Sequence, residues 1–318
     1  MQIYQDAEKL VKEQFHKGTY DGRGKLDVGA IVGDKLLAKQ KKVDGDWHAP
    51  KAGVIHVSKL YGCLRGVFYE MMGVPADLKE ETGERRMAGV FEAGHLFEDF
   101  IVDSLGDLVL ERQREYVHKY KSLTLVGHSD YRVLDGEVMR IGENKSVHSD
   151  AFWYRKQEGT LIQWHNQIQL NTYLWLERIL FGNEWEGIFS YISKDDCTID
   201  HAPVKYNPVL IDEIVTPILD LLNDAFEKAQ GKSVEEIIAI GKELPLPSAA
   251  VFNSDKGTYG VNWLAKYCNH HNTCAGAGWL LEAQGEVKHL NAEQKASLVK
   301  SMGGAQTPTK PVVGVKLD

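Results

Sequence analysis

The sequence predicts an α/β domain. Three observations predict it: a hairpin of two alternating strands between Leu123 and Val147, amphipathic helices on either side of it, and a second hairpin between Gly187 and Tyr206. Side chains repeat every two residues in a strand and about every 3.6 in a helix, so the two patterns separate along a chain.

The central hairpin carries the chemistry. In its first strand Leu123, Leu125, Gly127, Ser129 and Tyr131 share one face, and Val126, His128 and Asp130 the other. In its second strand Met139, Ile141, Glu143, Lys145 and Val147 share a face, and Asp135-Gly136 is a strong turn signal between the two. Glu143 and Lys145 therefore emerge side by side, and Asp130 can reach them from the neighbouring strand. Two carboxylates suit Mg²⁺ or Mn²⁺, which offsets their mutual repulsion. A lysine beside them can hold an attacking water or stabilise charge on a phosphate. The competing reading is a solvated hairpin face with an ordinary Glu/Lys pair.

The 318 residues are enough to bury a large core, and 43% hydrophobic with 26% charged residues is the composition of a soluble globular protein. No apolar run approaches the ~20 residues that span a bilayer, and the N-terminus has no signal-peptide pattern, so a cytoplasmic location without a membrane partner is expected. The net charge of −8 argues against a general nucleic-acid coat protein and leaves local contacts open. Two basic clusters are candidates: Lys35, Lys39, Lys41 and Lys42, and Arg112, Arg114, Lys119 and Lys121. The four cysteines, Cys63, Cys197, Cys268 and Cys274, read as core thiols or metal ligands rather than disulfides.

Along the chain, Ala7 to Lys17 reads as a short helix, and Gly18 to Pro50 as irregular or a flap. A helix is predicted from an N-cap at Ser58 to Gly73, with Cys63 in its first two turns. A longer one spans Glu84 to Leu105 and stops at Gly106, with His95 and Glu98 able to face one side. After the hairpin, Thr160 caps a helix to Phe181, with an apolar stripe of Trp164, Ile168, Trp175 and Ile179 beside a polar stripe of His165, Gln169 and Tyr173. The second hairpin turns at Asp195-Asp196, next to Cys197. Pro208 opens a helix to Gln230 that Pro217 should kink, and Val234 to Lys242 is a short helix. Leu244-Pro245-Leu246-Pro247 is a linker, and Cys268 and Cys274 lie in the tail that follows.

This order of motifs resembles the RecB-like branch of the PD-(D/E)XK nuclease superfamily. It is closest to the CRISPR-associated and phage-encoded exonucleases of that branch, and is similar also to the nuclease module of AddB. The matching residues are Cys63, Gly94-His95, Gly127-His128-Ser129-Asp130, Gly142-Glu143-Asn144-Lys145, Gln169 with Tyr173, and the Cys268/Cys274 tail, over residues 55 to 275. The resemblance implies a mixed central sheet flanked by helices. It implies a Mg²⁺- or Mn²⁺-dependent deoxyribonuclease, an exonuclease or end-processing enzyme of phage recombination or CRISPR adaptation, acting on single-stranded DNA ends and working with protein partners of those pathways. His95, Asp130, Glu143 and the carbonyl of Asn144 would bind the metal. Lys145 would position or activate the water, supported by Gln169 and Tyr173. The domains expected are an N-terminal helix and flap over 1–54, the nuclease domain with its cysteine tail over 55–290, and a loosely held tail over 291–318.

In the relatives, one early and three late cysteines hold a 4Fe–4S cluster. Cys63, Cys268 and Cys274 match three of them, and Ala265 stands at the position of the fourth. A cluster, a zinc ion completed by His270 or His271, and an empty site remain open. Two other functions compete: a non-catalytic DNA-binding or assembly subunit of the same fold, and a zinc-stabilised interaction protein. The first would be expected to lose the carboxylates or the lysine, and the second leaves the hairpin and the Gln169/Tyr173 pair unexplained.

Overall fold

The computed structural model describes residues 28–47, 51–77, 81–157, 159, 162–246, 250–253, 258–261, 268–270 and 273–274. The expectations placed on Ala7–Lys17, Thr160, Ala265, His271 and the chain beyond Leu290 lie outside them. The chain divides into two compact units, one drawn from residues 1–49 and 79–95 and the other from 50–78 and 96–318.

The first unit contains helix α1 (Val28–Trp47), where an irregular flap was expected. The run Lys35-Leu36-Leu37-Ala38-Lys39-Gln40-Lys41-Lys42 consists of good helix formers, whose summed propensity outweighs the flanking glycines and aspartates. Lys39, from the first basic cluster, is held by Glu92 at 2.7 Å.

The second unit is built on a six-stranded mixed sheet flanked by helices, as the α/β reading requires. Its strands are β1 (Val54–His56), β2 (Val109–Tyr120), β3 (Leu123–Asp135), β4 (Val138–Val147), β5 (Glu186–Ser193) and β6 (Ile199–Val204). β3 is the organising strand. One of its edges takes the length of β2, antiparallel. Its other edge is shared: β1 pairs parallel with Thr124 to Val126, and β4 pairs antiparallel from Tyr131 to Asp135. Between those two partners, Gly127 to Asp130 have no strand beside them on that edge among the described residues. β4 then pairs parallel with β5, and β5 antiparallel with β6.

The predicted alternation is present: Leu123, Leu125, Gly127, Ser129 and Tyr131 are buried, and the residues between them only partly so. Helix α2 runs over Leu64–Met71, and Cys63 is its N-cap rather than part of its first turns. Ser58 lies instead in a 3-10 turn, Val57–Lys59, after which the Gly62 N–H bonds back to the Lys59 carbonyl at 2.8 Å and interrupts the helix. Helix α3 is Glu81–Leu105, and its Val102 packs with Tyr131 and Val133 in a small second core. Helix α4 is Ser149–Gln157.

Helix α5 (Trp164–Phe181) packs on β2, β3, β4 and β5. The stripe expected to be apolar splits, since Ile168 is buried but Trp164 is 56% and Ile179 44% exposed. Gln169 and Tyr173 from the polar stripe are buried, with Asn166, Asn171, Thr172 and Glu177. The sheet offers polar partners to this face, so polarity there does not mark solvent. The helix ends at Gly182 in the left-handed region, φ 71°.

Asn207 caps Val209 at the start of the next helical stretch, Pro208–Leu210. A π segment, Ile211–Val215, then leads into helix α6 (Thr216–Ala229), so the disturbance expected at Pro217 is a widened turn just before it. Helix α7 (Val234–Glu243) carries a Ser233/Glu236 capping box. Leu244, expected in a linker, is buried, and its carbonyl accepts from Arg65 Nε at 2.6 Å. A short hairpin of β7 (Ala250–Asn253) and β8 (Thr258–Val261) follows, which the sequence reading did not contain. Among the described residues no helix is long and apolar enough to cross a membrane.

Candidate active site

The last paired positions of β3 and β4 are Tyr131 and Gly142. One step beyond them come Asp130 and Glu143, where the ladder stops. Asp130 spans the opening itself: its Oδ2 accepts the Asn144 N–H at 2.6 Å, a side chain taking a backbone donor that the ladder leaves unpaired. On the other side of β3, Arg112 pairs with Tyr131 and Arg114 with Ser129, so Gln113 lies across from Asp130. Gln113 is left-handed at φ 49°. Backbone irregularities of this kind re-aim side chains beside functional sites.

Two glycines in the motifs allow this packing. A Cβ on Gly142 would lie 2.1 Å from the Tyr131 ring, and one on Gly127 would lie 2.9 Å from Tyr173. The aromatic rings occupy the space that any side chain there would fill.

Glu143 is 2% exposed and is the hub of the site. Its Oε1 accepts from Lys145 Nζ at 2.6 Å and from Gln169 Nε2 at 2.7 Å. Lys145 Nζ also donates to Gln169 Oε1 at 3.2 Å, closing a three-membered ring of bonds. Among the described residues, Glu143 Oε2 is buried without a hydrogen-bond partner, as are Asn144 Oδ1 and Nδ2. Tyr173 shares a hydrogen bond with Gln169 and stacks on Tyr116 with ring centroids 5.3 Å apart. Burial, then the nearby Glu143 charge, hold its hydroxyl pKa well up.

The electrostatics are those of two acids with too little positive charge. Burial and then the charges of Glu143 and Glu98 raise the Asp130 pKa well above the usual carboxylate range, against the pull of Lys145 and the Asn144 N–H. Burial opposes the charge on Lys145, but Glu143 and Asp130 outweigh it and push its pKa up. Lys145 is thus a held cation, not a ready base. Glu98, whose carboxylate accepts from Gln113 Nε2, is a member that the sequence reading did not assign. The available signal was its place three residues after His95 on one helix. His95 itself belongs to the first unit, and the site described here is built from the second unit alone. No group of three or more His, Cys, Asp or Glu side chains is placed to hold a metal ion among the described residues.

The cysteines gather elsewhere in the second unit. A Cβ on Gly66 would stand 3.8 Å from Cys268 Sγ and 3.9 Å from Cys63 Cβ. Arg65 Nη1 reaches Cys274 Sγ at 3.7 Å, and the His270 N–H reaches Cys268 Sγ at 3.4 Å. Asp77 fastens this tail, its N–H donating to the Asn269 carbonyl at 2.7 Å and its Oδ1 accepting from Thr273 Oγ1 at 2.9 Å. Burial raises the pKa of Cys63, and that of Cys268 to about 11. His270 is buried edge-on to Tyr69, and its Nδ1 has no hydrogen-bond partner among the described residues. Cys197 is exposed at the turn between β5 and β6.

No family model matches the chain, and no curated protein matches it. Among solved structures, that of SSO0001 is 19% identical with a TM-score of 0.47, covering 79% of this chain and 97% of its own. An alkaline exonuclease from Laribacter hongkongensis is 14% identical with a TM-score of 0.43, covering 60% of this chain and 99% of its own. Likenesses this distant carry no weight for the activity, which is argued from the site.

Proposed function

We propose that this chain is a divalent-metal-dependent deoxyribonuclease that hydrolyses phosphodiester bonds at DNA ends. The observation that carries the reading is the site at the β3–β4 opening. Asp130 and Glu143 lie together there, one Glu143 oxygen has no partner among the described residues, and Lys145 is tied to Glu143 by a bond it shares with Gln169.

The residues fit a hard cation. Mg²⁺ keeps several waters and binds through one or two carboxylates, so a pair of acids suffices where three side chains do not converge. A cation at this place would engage Glu143 Oε2 and Asp130 and relieve the repulsion between them. When bound it would polarise the phosphoryl oxygen and acidify a water. The Asn144 carbonyl is proposed as a further ligand.

The remaining work falls to the protein. Glu143 and Gln169 aim the Lys145 ammonium, which holds the attacking water by a hydrogen bond and neutralises charge growing on the phosphate oxygens. Because Lys145 stays protonated against Glu143, its role is positional and electrostatic. Tyr173 sets the Gln169 amide, and Gln113 sets Glu98, whose charge adds to the field at Asp130.

The exonuclease character, the preference for single-stranded ends and a setting in phage recombination or CRISPR adaptation belong to the same proposal. The test is incubation with end-labelled linear and covalently closed circular single-stranded DNA, in Mg²⁺, Mn²⁺ or EDTA. Metal-dependent loss of the linear strand alone is expected. Equal cutting of the circle would make the enzyme an endonuclease. DNA binding without cutting would favour the non-catalytic subunit.

A further inference from the structure

Near Lys145, aromatic and cationic side chains from three separate elements come together. Tyr61, from the loop before α2, stacks at a tilt on His165 with centroids 5.1 Å apart. Trp164 meets the same imidazole edge-on at 5.6 Å. Arg155, from α4, lies beside the group: with the Gln163 amide turned to the orientation that satisfies both its ends, its oxygen would accept from Arg155 Nη2 at 2.9 Å and its nitrogen would donate to His165 Nε2 at 3.3 Å. The group adjoins the site: the charges of Lys145 and Glu143 act on the Tyr61 hydroxyl, and that of Lys145 acts on His165. His165 also stands one helical turn before Gln169, the residue that aims Lys145.

Trp164 is the exposed member of this group among the described residues. Trp164 is the first residue of α5 and is 56% exposed, although Ile168, one turn on, is 2% exposed. The pKa of His165 is pushed down to about 4 by burial first, then by Lys145 and Arg155, so its ring is uncharged at neutral pH. An exposed indole face with cations close by is the combination that single-stranded nucleic acid selects: the base stacks on the ring, and the adjoining phosphate meets the cation. A paired base has no free face to offer. A protein of net charge −8 needs such local contacts to hold a polyanion at all.

We infer that Trp164, His165 and Tyr61, with Arg155 at their edge, form a subsite that stacks an unpaired nucleobase next to the phosphate presented to Lys145. The inference rests on the nuclease reading for its location and deepens it. It names an unstacked base of a single strand as the group that sets register. Trp164 is the contact surface. Tyr61 and His165 are positioning residues, backing that surface and fixing its tilt.

The test uses the full chain in Ca²⁺ with a dye-labelled single-stranded oligonucleotide, and the same strand with its bases removed at abasic sites. Anisotropy should show the parent binding the ordinary strand about tenfold more tightly than the abasic one, the scale of one lost stack. Trp164→Ala should bind both strands alike, near the parent's abasic affinity, and Trp164→Phe should recover most of the preference. Because Trp164 is exposed, these variants should keep the parent's melting temperature. Parent protein that ignores the bases, or Trp164→Ala that weakens both strands equally, would overturn the subsite. Cutting in Mn²⁺ is scored separately. A base preference without any cutting leaves the subsite standing and removes the nuclease reading, whereas cutting without base preference does the reverse.

Discussion

The carboxylate–lysine site and the cysteine clasp are both gatherings of reactive side chains in the same unit, and they are made in opposite ways. Asp130, Glu143 and Lys145 come from one hairpin, and Gln169 and Tyr173 from the helix laid across it. The clasp joins positions as far apart as Arg65 and Cys274, which are separated by 209 residues. At the first site charges are kept in place by hydrogen bonds, and one carboxylate oxygen is left over. In the clasp, burial pushes the Cys63 and Cys268 thiols toward their neutral forms, and the backbone N–H groups of Gly66 and Arg65 at Cys63 and of His270 at Cys268, with the Arg65 charge near Cys63, offset it only in part. A charged cluster with an unmet oxygen is poised for a cation and a polar substrate. A buried neutral one is poised to hold chain segments together, with a metal wherever one supplies the charge to keep thiolates.

The sharpest way to break this contrast is at the charged site. Asp130→Ala should abolish metal-dependent DNA cutting, and Lys145→Ala should lower its rate by ~10²-fold or more, the cost of losing one preorganised charge. Single-turnover cutting assays measure both, and undiminished rates in both variants would end the assignment. Neither change should alter the thiol reactivity of the clasp.

Packing at the opening gives the next largest effect. Gly142→Ala should destabilise by roughly 1–3 kcal/mol, because the new methyl falls on the Tyr131 ring. Urea denaturation reads this as a lowered midpoint. In the clasp, Cys63→Ser and Cys268→Ser should be coupled, the double variant departing from additivity by about 0.5–3 kcal/mol. Additive losses would mean that the two thiols do not share a site. Iron, sulfide and zinc analysis of anaerobically purified protein then identifies any occupant: iron with matching sulfide is a cluster, and one zinc is a Cys/His site.

Smaller effects separate the two regions by charge. With no metal added, Asp130→Asn should raise the urea midpoint, since it removes a carboxylate that Glu143 and Glu98 repel. A further effect is on pH. The folded pKa of His165 is about 4 against 6.5 for an ordinary histidine, so the unfolded chain binds the extra proton between those values. This histidine's contribution is therefore fully present above pH 6.5 and is lost as the pH falls toward 4. His165→Leu should flatten that part of the stability profile, and an unchanged slope would remove His165 from the account.

Most of the charged site was legible because it is local. Alternation places Asp130, Glu143 and Lys145 by parity, Asp135-Gly136 makes the turn, and helical spacing aligns Gln169 with Tyr173. Glu98 was less legible, since only the fold brings its helix's charge to bear on Asp130. Helix α1 was missed because the run carries little periodicity, and the polar stripe of α5 was legible as a stripe, but only the sheet beneath it supplies the polar partners that bury it.

By itself, then, the sequence determined what short-range sterics and periodicity control: the hairpins at Gly136 and Asp195-Asp196, the helix ends at Gly73, Gly106 and Phe181, and the pairing of an acid with a lysine on one strand face. The tertiary structure alone decided that β1 and β4 share one edge of β3 and part beside Asp130. It also decided that Gly127 and Gly142 lie under tyrosine rings, and that the tail closes on Cys63. Each of these is a contact between segments distant in the chain. Its free energy depends on what else fills the space, and no local pattern in the sequence carries that information.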